Sequence, residues 1–111
     1  MINLLFLCSR NEWRSPTAER IFQNDPRVEV RSAGVSTAAR RKVTEKMLSW
    51  ADLVLVMEHE HKQRVREQFP DIADDLQIEV LDIADDYEFM EPDLVALIRA
   101  RVEPWIECEG D

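Results

Sequence analysis

Eight consecutive residues near the start of the chain, Cys8-Ser9-Arg10-Asn11-Glu12-Trp13-Arg14-Ser15, carry a thiol, two guanidiniums and two hydroxyls, and Pro16 follows them. Five residues separate Cys8 from Arg14. A loop this short between a strand and a helix folds into a cup. Its backbone N–H groups point inward, as does the helix N-terminus, and together they form a nest for a tetrahedral oxyanion. A planar guanidinium at the rim, Arg14, holds two oxygens at once. A sulfur at the base, Cys8, feels the same positive field, which favours its thiolate form. Ser15 can donate its hydroxyl to that sulfur. Such a loop binds a phosphate-like group and aims a nucleophile at it. For a lone cysteine at a strand end the plainer reading, a small buried residue beside solvated arginines, is the better one. The full pattern of Cys, five residues, then Arg-Ser-Pro, reverses that preference.

The elements that must hold this loop can be read from the apolar pattern. Residues 2–7 (INLLFL) are a continuous apolar run of strand length, as in a strand buried on both faces of a parallel sheet. Ser15-Pro16 reads as a helix start, with Ser as N-cap and Pro at the first helical position, the helix continuing to Asp25-Pro26. Residues 28–34 alternate and end at Gly34; residues 35–43 are polar and basic. Thr44 can cap a short helix over 44–50. A third strand spans 51–57, a charged helix 58–69 ends at Pro70, and a fourth strand lies within 76–83. The terminal helix, 91–109, places Leu94, Leu97, Ile98, Val102 and Trp105 on one face, with Pro104 expected to kink or shorten it. Alternation of strand and helix implies a parallel sheet with right-handed crossovers, and ligands of such sheets bind beyond the C-terminal strand ends. Cys8 is expected just past such an end.

Composition narrows the classes. The 111 residues suit a single α/β domain over 1–111. No run approaches a membrane span, and residues 1–8 lack the features of a secretory leader. Two cysteines, Cys8 and Cys108, make no disulfide framework, and His59 and His61 lack zinc-ligand company, so a reducing cytoplasmic setting without metal or cofactor is expected. The net charge of −9 argues against nucleic acid and anionic membrane as partners. That average hides a division. Residues 1–46 carry nine Arg/Lys against five Asp/Glu, and residues 47–111 carry five against eighteen. An anionic ligand prefers the first half. The pentapeptide DIADD occurs twice, at 71–75 and 82–86, which multiplies the candidate acids.

With these residues in place, the chain resembles the low-molecular-weight protein tyrosine phosphatases. Their opening C-x-G-N-x-C-R-S-P is matched at Cys8, Asn11, Arg14, Ser15 and Pro16. The resemblance continues through RSAG (31–34), ADLVLVM with His61 four residues on, and DIADDY (82–87) against D-x-P-D-P-[FY]. It implies a three-layer, flavodoxin-like α/β sandwich with a four-stranded parallel sheet of order 2-1-3-4. It further implies that Cys8 is the nucleophile of a phosphocysteine intermediate, that Arg14 holds the equatorial oxygens, and that an aspartate protonates the leaving phenolate. Register gives Asp85 that role; Asp86, standing for the family's proline, is second, and Asp82, Asp74 and Asp75 are weaker. Ser9, Arg10, Asn11, Glu12, Trp13 and Ser15 form the phosphate loop, Asn11 holds its shape, Ser32 buttresses Asn11, and Tyr87 follows the acid. The implied substrate is a phosphotyrosine protein or other aryl phosphate, with inorganic phosphate as product.

The departures are specific. Arg10 stands where the family has Gly and is expected to point outward. Trp13 replaces a second loop cysteine, so the vicinal disulfide of many members cannot form. Glu12 brings negative charge to an anion site. Only VSTA separates Gly34 from Ala39-Arg40, so a long family segment is missing and the cup should be more open, with Trp13 or Tyr87 as substitute walls. Competing readings are a phosphate-binding adaptor without turnover, arsenate reduction relayed through Cys108, and, last, a cysteine-phosphorylated sugar-transport subunit, which lacks the Arg-Ser-Pro pattern. His59, His61, Trp50 and Trp105 are expected at the surface or in the core.

Overall fold

Leu4, Phe6 and Cys8 face one side of the first strand, Leu5 and Leu7 the other, and all five are buried. A computed structural model, describing residues 1–107, shows what covers each side. Four strands run parallel in the order β2-β1-β3-β4: β1 Ile2–Cys8, β2 Val28–Gly34, β3 Leu53–Val56 and β4 Ile78–Val80. This is the three-layer, flavodoxin-like sandwich with order 2-1-3-4 expected above. The even-numbered face of β1 packs against α1 (Arg14–Phe22) through Ala18 and Phe22, and against α5 (Pro92–Ile106) through Leu94, Ile98, Val102 and Ile106. The odd-numbered face packs against Leu48 of α2 (Glu45–Trp50) and Val65 of α3 (His59–Gln68), with Ile72 of α4 (Pro70–Ala73) at its edge. Burial on both faces explains why β1 and β3 read as unbroken apolar runs rather than alternating ones.

Several local expectations are corrected. Helix α1 begins at Arg14 and its N-cap is Trp13. Ser15 lies inside the helix, because its hydroxyl is used elsewhere, as described below. Cys8 is the last residue of β1, paired with Gly34, and does not lie beyond the strand. Pro70 does more than end α3: it opens the short helix α4, where its missing N–H is harmless. The first DIADD therefore lies on α4 and the turn after it, whereas the second lies in the irregular segment after β4. In α5 the buried stripe steps by four to Ile106, while Trp105 is 40% exposed and does not join it; Leu97 is only partly buried. That helix passes through Pro104 and ends two residues later. Thr44 caps α2 as expected, its Oγ1 accepting from the Met47 N–H at 3.2 Å. Cys108 lies outside the described residues. Among the described residues, no helix is long and apolar enough to cross a membrane.

Candidate active site

All strands point their C-terminal ends at one edge, and the cup is built there. The loop after β1 is fastened from outside. The carbonyls of Cys8, Ser9 and Arg10 accept from the amides of Val35, Ser36 and Arg40 at 2.9 Å each, and that of Asn11 accepts from Arg40 Nε at 3.1 Å. A trans peptide points its C=O and the following N–H in opposite directions. With the Ser9, Arg10 and Asn11 carbonyls turned toward residues 36–40, the amides of Arg10, Asn11 and Glu12 turn the other way. Among the described residues, nothing accepts from the amides of Ser9 through Trp13. The short segment after Gly34 is thus a brace pressed against the loop. Gly34 permits the approach: a Cβ there would lie 2.6 Å from both the Ser9 carbonyl oxygen and the Ala39 Cβ.

Asn11 bends the loop. It takes the left-handed conformation, φ 58°, which Asn tolerates better than most residues. Its buried side chain locks the bend: Nδ2 donates to Ser15 Oγ at 2.9 Å and to Ser32 Oγ at 3.0 Å, and Oδ1 accepts from Arg40 at 3.4 Å. The Ser32 hydroxyl in turn donates a hydrogen bond to Glu19 Oε1 at 2.5 Å. Ser15 Oγ, already an acceptor from Asn11, lies 2.9 Å from Cys8 Sγ. The single Ser15 hydroxyl proton has two acceptors in reach, the Ala33 carbonyl at 3.3 Å and the closer sulfur; a thiolate can only accept, so with Cys8 ionised Ser15 donates to the sulfur.

Arg14 is 3% exposed, and its burial is matched by partners at neighbouring strand ends. NH1 donates to Glu58 Oε1, just past β3, at 2.5 Å and to the Ile83 carbonyl, past β4, at 2.8 Å. Nε lies 3.6 Å from Asp85 Oδ1. Neither Nε nor NH2 makes a hydrogen bond to another described residue, so that edge of the guanidinium, faced only by Asp85, has the geometry to grip two oxygens of one group. A cavity of about 280 Å³ opens over this array, lined by Cys8, Ser9, Arg10, Glu12, Trp13, Arg14 and Asp85.

The structure thus brings together most of the residues singled out from sequence. Asn11, Ser15 and Ser32 lie beneath the cavity as its supports. Arg10 and Glu12 are exposed and pair loosely, at 4.0 Å, across the rim. Asp85, 60% exposed, lines the cavity; Asp86 is exposed and does not, and Asp82 and the first DIADD do not either. Tyr87 packs against the α1–α5 side of the core, so of the two aromatic walls considered only Trp13, 43% exposed, borders the cavity.

Two residues that sequence reasoning did not place here are Glu58 and His61. His61 is buried, as expected of a core residue, yet its Nε2 lies 3.0 Å from Ser9 Oγ. The Glu58 N–H donates to His61 Nδ1 at 3.0 Å. The ring proton therefore sits on Nε2 and is donated to Ser9. Burial, reinforced by the Arg14 charge, lowers the His61 pKa to about 4, so the ring is neutral at pH 7. This leaves the Ser9 hydroxyl proton available to the cavity. The signal for Glu58 was its position one residue past the third apolar run, at the C-terminal edge where ligands bind. Glu58, Glu60 and His61 bring three potential metal-ligand atoms within 4.8 Å, but the Glu58 oxygen is held by Arg14 and His61 Nε2 by Ser9.

The model of the family described as low molecular weight phosphotyrosine protein phosphatase matches residues 3–51, which contain the whole cup. The protein-arginine-phosphatase of Bacillus subtilis (strain 168) is 33% identical over 95 residues, covering 61% of this chain and 63% of the relative. The low molecular weight protein-tyrosine-phosphatase Wzb of Escherichia coli (strain K12) is 32% identical over 94 residues, covering 63% and 64%. The chain thus spans less than two thirds of the length of these relatives. In structure, the tyrosine phosphatase Wzb from Escherichia coli K30 in complex with phosphate superposes with a TM-score of 0.78 at 24% identity, covering 99% of this chain and all of that one. At that identity the likeness is one of fold.

Proposed function

Because residues 3–51 match the model of the low molecular weight phosphotyrosine protein phosphatase family and relatives of 32–33% identity are phosphatases, we propose that the chain belongs to that family and is a cysteine-dependent phosphomonoesterase acting on aryl phosphates, phosphotyrosine in a protein foremost. The observation that carries this reading is the convergence of the Cys8 sulfur, the free loop amides and the open edge of Arg14 on one cavity that Asp85 also lines. The Cys8 thiolate attacks phosphorus. The bond from phosphorus to the phenolic oxygen breaks, and Asp85 gives its proton to that oxygen. Charge spreading over the equatorial oxygens is met by the amides and by Arg14, held in position before reaction. Asp85, now a carboxylate, takes a proton from water as the water attacks phosphorus. The phosphorus–sulfur bond breaks, the electron pair returns to sulfur, and Ser15 stabilises the thiolate as it leaves. Inorganic phosphate departs.

Turnover of para-nitrophenyl phosphate by the wild type and its loss in Cys8→Ser tests this reading; phosphate binding with no turnover between pH 5 and 8 establishes the adaptor instead. Asp85→Asn should lower kcat by about 10²–10⁴, the range of a general acid, while Asp86→Asn leaves it nearly unchanged. The reverse result moves the acid to Asp86.

A second reading has its own support. Glu12 lines the cavity beside Asp85, and negative charge at the mouth suits a substrate whose phosphorylated group is itself cationic, such as phosphoarginine. One matched relative is a protein-arginine-phosphatase. Under this reading Glu12→Gln lowers kcat/KM for phosphoarginine peptides and spares phosphotyrosine peptides.

A further inference from the structure

From Glu67 to Ile98 inclusive the chain contains no Lys or Arg, while eleven Asp and Glu fall in that stretch. Part of it, the segment from Asp85 to Glu91, borders the candidate active site. It starts at Asp85, 3.6 Å from Arg14, and is pinned at its far end where the Met90 N–H donates to Thr17 Oγ1 at 2.9 Å. Thr17 lies one turn along α1 from Trp13, to whose carbonyl its own amide donates. The segment therefore runs from the cavity, at Asp85, to the first turn of α1, at Thr17. Along it Phe89 is 48% and Met90 38% exposed, and Trp13, one turn of α1 before the Thr17 that holds Met90, is exposed as well. Asp86 and Glu88 are exposed and Glu91 half-buried among them. The rim thus presents large apolar side chains set among carboxylates, next to a cup of opposite polarity.

Resting on the phosphatase reading above, we propose that this rim is the docking surface for the chain flanking the phosphorylated residue, and that it selects phosphoproteins whose flanking residues are basic and apolar. The charge pattern argues for this partner. The cup attracts the phosphoryl group, whereas Asp86, Glu88 and Glu91 repel acidic flanks and pair with Lys or Arg. Phe89, Met90 and Trp13 offer the apolar area that a neighbouring Leu or Met side chain covers. An acidic or purely polar flank gains neither contact.

The test uses two phosphotyrosine peptides of equal length, one with Arg and Leu flanking the phosphorylated residue and one with Glu and Ser, bound to the Cys8→Ser protein and followed by fluorescence anisotropy. Binding does not depend on turnover, so this result stands apart from the para-nitrophenyl phosphate assay that decides the phosphatase reading itself. A few rim charge pairs and one apolar contact should make the basic–apolar peptide bind about tenfold tighter. Raising ionic strength from about 0.05 M to about 0.5 M, where screening reaches only a few ångströms, should remove the charge-dependent part. Adding Glu88→Gln with Glu91→Gln, or Phe89→Ser, should narrow the gap. In an active protein these rim changes should raise KM for the basic–apolar peptide and leave para-nitrophenyl phosphate hydrolysis unchanged. Equal affinities for the two peptides, preference for the acidic one, or absence of binding to either overturns the proposal.

Discussion

At the scale of single residues, the site depends on partners that restrain Arg14 as much as on Arg14 itself. Glu58 and the Ile83 carbonyl occupy NH1 and so fix which edge of the guanidinium faces the cavity. Removing one partner of a buried charged pair leaves the other poorly satisfied and free to reorient. Glu58→Ala should therefore lower kcat/KM for an aryl phosphate about tenfold, one charge-assisted hydrogen bond's worth, whereas Glu58→Gln, which retains an acceptor, should lower it less. Equal losses would show that charge and not orientation is what Glu58 supplies. Cys8, Arg14 and the loop were legible in the sequence because their chemistry is packed into one short window. Glu58 and His61 were not, because they reach the loop from 44 and 52 residues away, through the pairing of β3 beside β1. Ser15 shows the converse. Its type suits an N-cap, but a hydroxyl between a thiol and a buried amide has a stronger use, so the helix begins without it.

At the scale of elements, the strands could be read because burial on both faces leaves a continuous apolar signature, and β2 matches its expected span of 28–34. Helix phase was harder. After Val102 in α5, positions three and four residues on both lie near the apolar stripe, and only the sheet it covers decides that Ile106 turns inward and Trp105 outward. Ile106→Ala should lower stability by about 2 kcal/mol or more, and Trp105→Ala by less, in urea unfolding. Helix α4 leaves no separate signal in the sequence, because Pro70 is a stop signal and a start signal at once. The brace makes a sharper prediction. A methyl group at residue 34 has no room between the Ser9 carbonyl and Ala39. Gly34→Ala should cost about 1–3 kcal/mol, as overpacking does, and should weaken phosphate binding because the loop must shift. Wild-type affinity for phosphate in that variant would show that the loop is not held there.

At the scale of the whole molecule, buried His61 couples the fold to pH. An unfolded histidine takes up a proton near pH 6.5, while the folded one resists until about pH 4. Between those values the unfolded state binds more protons, so stability falls as pH falls. The loss is complete below pH 4 and amounts to about 3 kcal/mol from the width of the window. Asp25 extends the decline. Hydrogen bonds from Arg27 hold its pKa near 2 against 3.8 in the free residue, so its contribution is present above pH 3.8 and lost as pH drops to 2. Chemical unfolding at pH 7, 5.5 and 4 should show the first decline in the wild type and a shallower one in His61→Gln. The same slope in both proteins would mean that another group binds the proton.

The tethering of the loop carbonyls to residues 35–40 has one more consequence. A receptacle whose outer carbonyls are already held by the segment after β2 is formed before any ligand arrives, so an oxyanion should spend little free energy on rearranging it. Stopped-flow mixing with vanadate should then give one phase whose rate climbs linearly with concentration, without a plateau, and amide exchange across residues 8–14 should slow only where the anion itself is touched.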